Sequence, residues 1–245
     1  MKLFGIGLLA VAIGFMAANL LSTGAEMVED RVKAANDRAG TTVRKLVRDA
    51  GLAWPPKRLY IRAFKSEAEL EVWAADGDKP LNLVKTYPIA EMSGSLGPKR
   101  REGDLQVPEG LYHIDRFNPQ SKFHLSLGIN YPNGSDRKRS DAAKPGGDIF
   151  IHGDRKSIGC LAMTDEKIEE IYLLALAAKP YGMIPVHIFP FRMSPNNVAS
   201  FIRRFPANRE LWRELRPFFD AFDTTKIVPN FTVASRGEYM LIKHK

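Results

Sequence analysis

The sequence of 245 residues contains only one cysteine, Cys160. A chain with a single thiol forms no internal disulfide, and it lacks the paired cysteines of common zinc sites. No His-x3-His spacing supplies other ligands, so we predict neither a metal nor a cofactor. The apolar N-terminal segment does not end in a cysteine, which excludes a bacterial lipid anchor at that point. One unpaired thiol remains to be explained.

Long apolar runs are also scarce, and the only one lies at the N-terminus. Residues 3–21 carry no charge and are rich in Leu, Ala, Gly and Phe, and small residues follow up to Ala25. This pattern is typical of an export signal. We expect residues 1–25 to be removed near Ala25, with an uncleaved inner-membrane tether through residues 3–21 as the alternative. We therefore predict a periplasmic protein.

Acidic residues are outnumbered, since 28 Asp and Glu stand against 36 Lys and Arg and give a formal net charge of +8. A cationic surface attracts anionic partners such as nucleic acid, acidic lipid or an anionic wall polymer. Export argues against nucleic acid, so we expect a wall polymer or a membrane surface as the partner. The basic clusters are interpreted as solvated loops: Lys99–Arg101, Arg137–Arg139 and Arg155–Lys156.

Beyond the N-terminal segment the chain divides into three parts. Residues 26–57 are polar with scattered apolar positions, which indicates an exposed helical spacer. Residues 58–192 alternate apolar and polar positions in several stretches, which predicts a mainly β domain with a helix after Thr164. Residues 193–245 show two helices with aromatic faces and a closing hairpin. The predicted fold class is α+β overall.

The reactive groups lie where a strand ends at His152 and a tight turn ends at Cys160. A thiol attacks a carbonyl only as a thiolate, and its ordinary pKa leaves it protonated at neutral pH, so a nearby base is needed. His152 supplies the imidazole. Gly159 allows a close backbone approach, and the amides around Gly159 and Cys160 are candidate oxyanion donors. The structural alternative is a small buried thiol and a core histidine.

The motifs His152-Gly153 and Ser157-Ile158-Gly159-Cys160 resemble the signature of the L,D-transpeptidase catalytic family. Residues 103–114 resemble the family's Thr-Pro-x-Gly-x-Phe-x-Ile strand entry, and the resemblance extends over residues 59–191. Within the family, the chain is most similar to a murein-related subgroup. That subgroup includes an enzyme that detaches outer-membrane lipoprotein from peptidoglycan.

The resemblance implies that residues 58–192 form a mainly β catalytic domain, an L,D-transpeptidase-like β-sandwich or barrel. It implies that Cys160 forms a thioester with the donor acyl group and that His152 accepts the thiol proton. A backbone carbonyl near Gly153 would orient the imidazole, and Ser157 would shape the turn.

The chain departs from the family in two respects. Many members keep an arginine two residues after the nucleophile, where this chain has Ala162, and many have a longer segment between histidine and cysteine. We expect Arg155, Arg137 and Tyr131 to be the substrate-binding candidates. Their alternatives are a solvated loop charge for each arginine and simple packing for the tyrosine.

The implied substrate is the L,D bond next to diaminopimelate in a peptidoglycan stem peptide, and the implied role is in cell wall biogenesis and cell shape. An amine acceptor gives an L,D-transpeptidase. Water gives a hydrolase or amidase that releases a peptidoglycan-linked lipoprotein, or an L,D-carboxypeptidase that trims tetrapeptide stems. A catalytically silent wall-binding module is the hypothesis from a different class.

Overall fold

The computed structural model describes residues 31–242. The predicted export signal over residues 1–25 and the alternative tether through residues 3–21 lie outside the described residues. Within residues 31–242, no helix combines the length and the apolar character needed to cross a membrane.

Among the described residues, eight strands form one mixed sheet in the order β3-β2-β1-β8-β4-β5-β6-β7. The pairs β1–β8 and β6–β7 are parallel, and the other neighbouring pairs are antiparallel. A separate hairpin of β9 and β10 follows near the C-terminus. The strands are β1 Arg58–Phe64, β2 Glu69–Ala75, β3 Asn82–Pro88, β4 Gly110–Asn118, β5 Ser126–Ile129, β6 Phe150–His152, β7 Leu161–Ala162, β8 Pro185–Phe189, β9 Phe231–Val233 and β10 Tyr239–Leu241.

Helices accompany the sheet on both sides, which confirms the predicted α+β class with a mainly β domain. The helix predicted after Thr164 is present, with Ile168, Ile171 and Tyr172 buried at helical spacing. The two C-terminal helices are also present. In the described part of the chain the α-helices are α1 over residues 31–49, α2 Asp136–Arg139, α3 Asp165–Ala178, α4 Pro195–Arg204 and α5 Arg209–Thr225.

Strand β1 is buried on both faces because it separates two cores. Leu59, Ile61 and Ala63 belong to a cluster that includes residues of α1 and α3. Tyr60 and Phe64 belong to clusters that include aromatic residues of α5. Successive side chains of a strand point to opposite faces. Alternate residues of β1 therefore pack into the two different cores.

Helix α1 is buried along one side and is joined to α3 by the Arg38–Glu169 ion pair, in contrast to the exposed spacer expected from its polar composition. Ala35, Ala39, Val43 and Val47 are buried and recur every four residues, so they form one stripe along the helix. The rest of the surface is polar, which is why the segment resembles a spacer when only its composition is considered. The helix is therefore part of the main hydrophobic core.

A buried polar network ties α5 to the sheet. Glu109 accepts hydrogen bonds from Trp212 Nε1 and from Gly97 N, each at 2.7 Å, and it pairs with Lys65 Nζ at 3.1 Å. Lys65 Nζ also donates to Gly97 O at 2.7 Å and to Val107 O at 2.9 Å. Buried charges are tolerated when they are paired and hydrogen-bonded in this way. The C-terminal helices thus share an interior with the strands.

Candidate active site

Strand β6 brings His152 beside the turn that carries Cys160. Strands β6 and β7 pair in parallel with His152 opposite Ala162. The same register, extended back by two residues, sets Phe150 opposite Cys160, and the Phe150 N–H donates to Cys160 Sγ at 3.4 Å. Opposed residues of parallel strands point to the same face. The imidazole and the thiol therefore share one face of the sheet on adjacent strands.

The Ser157 hydroxyl organises the turn before the nucleophile. Ser157 Oγ accepts from Cys160 N at 3.1 Å and from Gly159 N at 3.3 Å, and it donates to Cys160 O at 2.8 Å. Ser93 N also donates to Ser157 Oγ, at 3.3 Å, which joins the turn to the segment that follows β3. These hydrogen bonds are consistent with the predicted role of Ser157 in shaping the turn. The two amides proposed as oxyanion donors are directed at Ser157 Oγ, and their oxyanion role stays a prediction.

Gly159 stands where a side chain would disturb the turn. Its φ of +124° lies in the region that favours glycine, and an added Cβ would lie 3.2 Å from Gln106 O. We expect Gly159→Ala to reduce kcat/KM about 100-fold by displacing the thiol. Steady-state kinetics with a muropeptide substrate will measure this. Gly147→Ala is the matched control, because nothing lies within 4 Å of a Cβ there and it should leave the rate unchanged.

The imidazole of His152 is buried and held in one orientation. Its Nδ1 lies 2.5 Å from Gly153 O, and its ring packs on Phe123 with 4.8 Å between centroids. A carbonyl oxygen only accepts, so Nδ1 carries the hydrogen and Nε2 keeps its lone pair. The orienting carbonyl implied by the family resemblance is thus present. This tautomer leaves a lone pair on Nε2 that can accept a proton.

Gly153, the residue after His152, lies where neighbouring atoms leave no space for a side chain. A Cβ at Gly153 would meet Asp165 Oδ1 and would lie 2.8 Å from Phe123 O. The Gly153 N–H donates to Phe123 O at 3.0 Å and to Leu125 O at 3.2 Å. The chain therefore turns close against its neighbours directly after β6, which fixes the carbonyl that holds the imidazole.

Burial sets the protonation of both groups in the same direction, towards the neutral form. Desolvation raises the pKa of the Cys160 thiol, while the Phe150 N–H and the positive charge of Lys99 oppose that rise. Desolvation lowers the pKa of His152, against the opposing effect of its hydrogen bond to Gly153 O. At neutral pH the resting pair is therefore a thiol and a neutral imidazole, and proton transfer must accompany attack.

We expect alkylation of Cys160 by iodoacetamide to accelerate with pH and to reach its midpoint above the ordinary pKa of a thiol, because the thiolate is the reacting species. Mass spectrometry of the modified chain from about pH 6 to about pH 10 will give the rates. A plateau near neutral pH would instead indicate a thiolate–imidazolium pair and would contradict this assignment.

The three predicted substrate-binding residues are placed differently from one another. Tyr131 is buried, and its hydroxyl donates to Pro145 O at 3.0 Å, so it packs inside the domain as its alternative interpretation had it. Arg137, on α2, and Arg155, in the loop between β6 and β7, are exposed. Their accessibility is compatible with substrate contact, which stays a prediction.

Lys99 is a site residue that sequence reasoning missed. The sequence predicts a solvated basic cluster there, yet Lys99 is only 4% exposed. Its Nζ donates to Asp104 Oδ1 at 2.6 Å and to Arg101 O at 2.9 Å, and its charge acts on the Cys160 thiol. No periodicity signals a loop lysine that folds inward onto a carboxylate five residues later. Its fixed positive charge lowers the pKa of the Cys160 thiol, against the larger effect of desolvation.

Ala162 occupies the position where many family members keep an arginine. It is fully buried, and its N and O atoms pair with the backbone of Glu91. An arginine side chain at this position would have to bury its charge or displace the adjoining segment. Ala162 therefore leaves this position without a cation.

Comparison with known proteins agrees with the site motifs. The description "YkuD: L,D-transpeptidase catalytic domain" matches residues 58–188. The chain belongs to this family. It is 35% identical over 189 residues to a protein of Escherichia coli (strain K12) named "Putative L,D-transpeptidase YafK", a match that covers 76% of this chain and 74% of that protein.

Two solved structures resemble the chain more distantly. The helical cell shape determining protein Pgp2 of Campylobacter jejuni shares 17% identity with a TM-score of 0.46 and covers 78% of this chain and 80% of its own. Bd1075 of Bdellovibrio bacteriovorus shares 22% identity with a TM-score of 0.41 and covers 68% of this chain and 63% of its own. The family assignment depends on neither of them.

Proposed function

We propose that this protein is a periplasmic peptidoglycan-modifying enzyme that transfers acyl groups through a thioester on Cys160. The observation that carries the proposal is the fixed tautomer of His152. Its Nδ1 is engaged by Gly153 O, so Nε2 is left to serve a thiol on the same face of the sheet. Membership of the L,D-transpeptidase family supports an L,D bond next to diaminopimelate as the bond attacked.

The first half-reaction forms the thioester. His152 Nε2 takes the proton from Cys160 Sγ as the sulfur attacks the carbonyl carbon of the donor stem peptide. The carbonyl oxygen becomes an oxyanion, and the Gly159 and Cys160 amides would stabilise it by turning from Ser157 Oγ towards the new charge. The C–N bond then breaks, and the imidazolium returns the proton to the leaving amine.

The second half-reaction resolves the thioester. An amine or a water molecule attacks the acyl carbon and gives its proton to His152, and the thiol leaves with that proton. An amine yields a cross-link or an attached protein, whereas water yields a trimmed stem or a released lipoprotein. The name of the Escherichia coli relative favours the amine acceptor. The hydrolase, the lipoprotein amidase and the L,D-carboxypeptidase are the other outcomes of the test below.

Product analysis tests the proposal directly. Purified protein is incubated with muropeptides that carry a tetrapeptide stem, and separately with muropeptides that carry a lipoprotein remnant, beside a Cys160→Ala variant. We expect wild-type protein to convert at least one substrate and to show an acyl adduct on Cys160 by mass spectrometry. Turnover that survives in Cys160→Ala would refute the nucleophile.

The same experiment separates the enzyme from a wall-binding module. A non-catalytic module would bind sacculi through its basic surface without producing new muropeptides or an adduct. The identity of the products decides between amine and water as the acceptor. Circular dichroism of the Cys160→Ala variant verifies that a loss of turnover does not come from unfolding.

A further inference from the structure

The His152 imidazole lies against the loop over residues 119–125, which joins β4 to β5 and is called the cover loop below. Phe123 of this loop packs on the His152 ring with 4.8 Å between ring centroids. The carbonyl oxygens of Phe123 and Leu125 both accept from Gly153 N, at 3.0 and 3.2 Å. Gly153 in turn supplies the carbonyl that engages Nδ1 of His152. The cover loop therefore contacts the ring directly and also fixes the residue that orients it.

The backbone of the cover loop is strained next to Phe123. His124 has a φ of +67°, in the left-handed region that residues other than glycine adopt at a cost. A conformation of this kind persists only where surrounding contacts hold it. The contacts that hold the cover loop come from α1 and α3.

Helix α1 binds the backbone of the cover loop through Arg31. Its Nη1 donates to Ser121 O at 3.0 Å, to Pro119 O at 3.3 Å and to His124 O at 3.4 Å. One guanidinium nitrogen thus holds three carbonyl groups of a single loop. Helix α1 precedes the segment 58–188 that matches the family, so this contact comes from outside the matched segment.

Helix α3 binds the His124 side chain through Glu169. Glu169 Oε1 accepts from His124 Nε2 at 2.7 Å, and Arg38 of α1 donates from Nε to both carboxylate oxygens, at 3.0 and 3.1 Å. Desolvation raises the pKa of the buried Glu169, but hydrogen bonds from Arg38 and His124 hold that pKa below its ordinary value. The carboxylate is therefore charged at neutral pH, and hydrogen bonds to a charged acceptor are stronger than neutral ones.

We propose that Arg31 and Glu169 are positioning residues for the His152 imidazole. They hold the cover loop in place, and the loop keeps the Phe123 ring on the imidazole and Gly153 O on Nδ1. Neither residue touches the reacting atoms. This inference rests on the proposed function, in which Nε2 of His152 takes the thiol proton. Loss of either contact would let the imidazole move away from the thiol and would admit water to it.

NMR titration of His152 tests this inference without requiring turnover. In Cys160→Ala protein, the titration midpoint of His152 should rise when Arg31→Ala is added. The reason is that desolvation lowers the pKa of His152, and a loosened cover loop would relieve that desolvation. The His152 signal is assigned by its absence in His152→Ala. The charge of Asp154, which also acts on this pKa, is the same in all these proteins.

Two further variants and a control identify the contact responsible. His124→Asn keeps a residue type that tolerates a positive φ, but its shorter side chain loses Glu169, so the midpoint should rise there too. Arg31→Lys keeps a donor and should raise the midpoint less than Arg31→Ala does. Arg48→Ala is the matched control, because Arg48 is an exposed arginine of the same helix, and it should leave the midpoint unchanged.

Kinetics of the active protein give an independent readout. Arg31→Ala should lower kcat about tenfold with little change in KM, because a misplaced base slows proton transfer while substrate binding is retained. The acid limb of its pH profile should move to higher pH, because the imidazole must be neutral to accept the proton.

An unchanged His152 midpoint in Arg31→Ala and His124→Asn, even with a lowered melting temperature, would mean that these contacts only stabilise the fold and would overturn the inference. The acyl adduct on Cys160 is scored separately in protein that keeps the thiol. Failure of the thioester chemistry and failure of the positioning contacts therefore give different results.

Discussion

Replacing His152 with alanine is expected to reduce kcat/KM by about a thousandfold or more, because general base catalysis by a positioned imidazole contributes about 10²–10⁴-fold. The effect should be large because burial raises the pKa of the Cys160 thiol and lowers the pKa of His152, so neither group is charged before the reaction. Without Nε2 no group takes the thiol proton as the sulfur attacks. Stopped-assay kinetics on a tetrapeptide muropeptide will measure the loss.

The form of the loss distinguishes a base from a packing residue. The His152→Ala variant should regain rate as pH rises, because hydroxide then generates the thiolate that the imidazole no longer provides. His113→Ala serves as a comparison, since His113 lies on β4 outside the nucleophile turn and should retain activity and the wild-type pH profile. Loss of activity at all pH values with a lowered melting temperature would mean that His152 acts only through packing against Phe123.

Removal of the Glu109 carboxylate is expected to lower the free energy of unfolding by about 3–5 kcal/mol, the usual cost of breaking a buried ion pair on one side. Glu109 is only 1% exposed. The Glu109→Ala variant leaves the Lys65 ammonium without its counter-ion and Trp212 Nε1 without a hydrogen-bond acceptor. Urea titration followed by circular dichroism gives the change in stability.

Two comparisons identify the cause. Glu102→Ala removes an exposed carboxylate from the loop that contributes Gly97 and should change stability by less than about 0.5 kcal/mol. The double variant Lys65→Met, Glu109→Leu replaces both charges and should be less destabilised than Glu109→Ala, because no uncompensated charge is left inside. Equal stability of Glu109→Ala and wild type would show that the network does not anchor α5.

Local patterns predicted the elements well where one signal dominated. The alternation of apolar and polar positions from residue 58 onwards predicted strands, of which β1 and β2 are the first. The spacing of Ile168 and Ile171 predicted α3. These features follow from neighbours a few residues apart, so a sequence contains them directly.

Predictions about burial were wrong where charged or polar residues lie in the interior of the fold. Lys99 is charged and lies in a basic loop, yet it is enclosed because Asp104 folds back onto it. Helix α1 has a polar composition, yet its small apolar residues belong to the main hydrophobic cluster. Lys99 is buried by Asp104 of its own loop, and α1 is buried by residues far along the chain. Composition identifies neither of these contacts.

The sequence by itself determined the family and predicted Cys160 as the nucleophile and His152 as the base, because His152-Gly153 and Ser157-x-Gly159-Cys160 are local motifs whose residue types the chemistry requires. Only the tertiary structure decided their state and surroundings. Parallel pairing of β6 with β7 sets the thiol and imidazole on one face, burial makes both neutral, and Gly153 O selects the tautomer. Such contacts join residues far apart in the chain, and their free energy depends on geometry that a linear pattern does not specify.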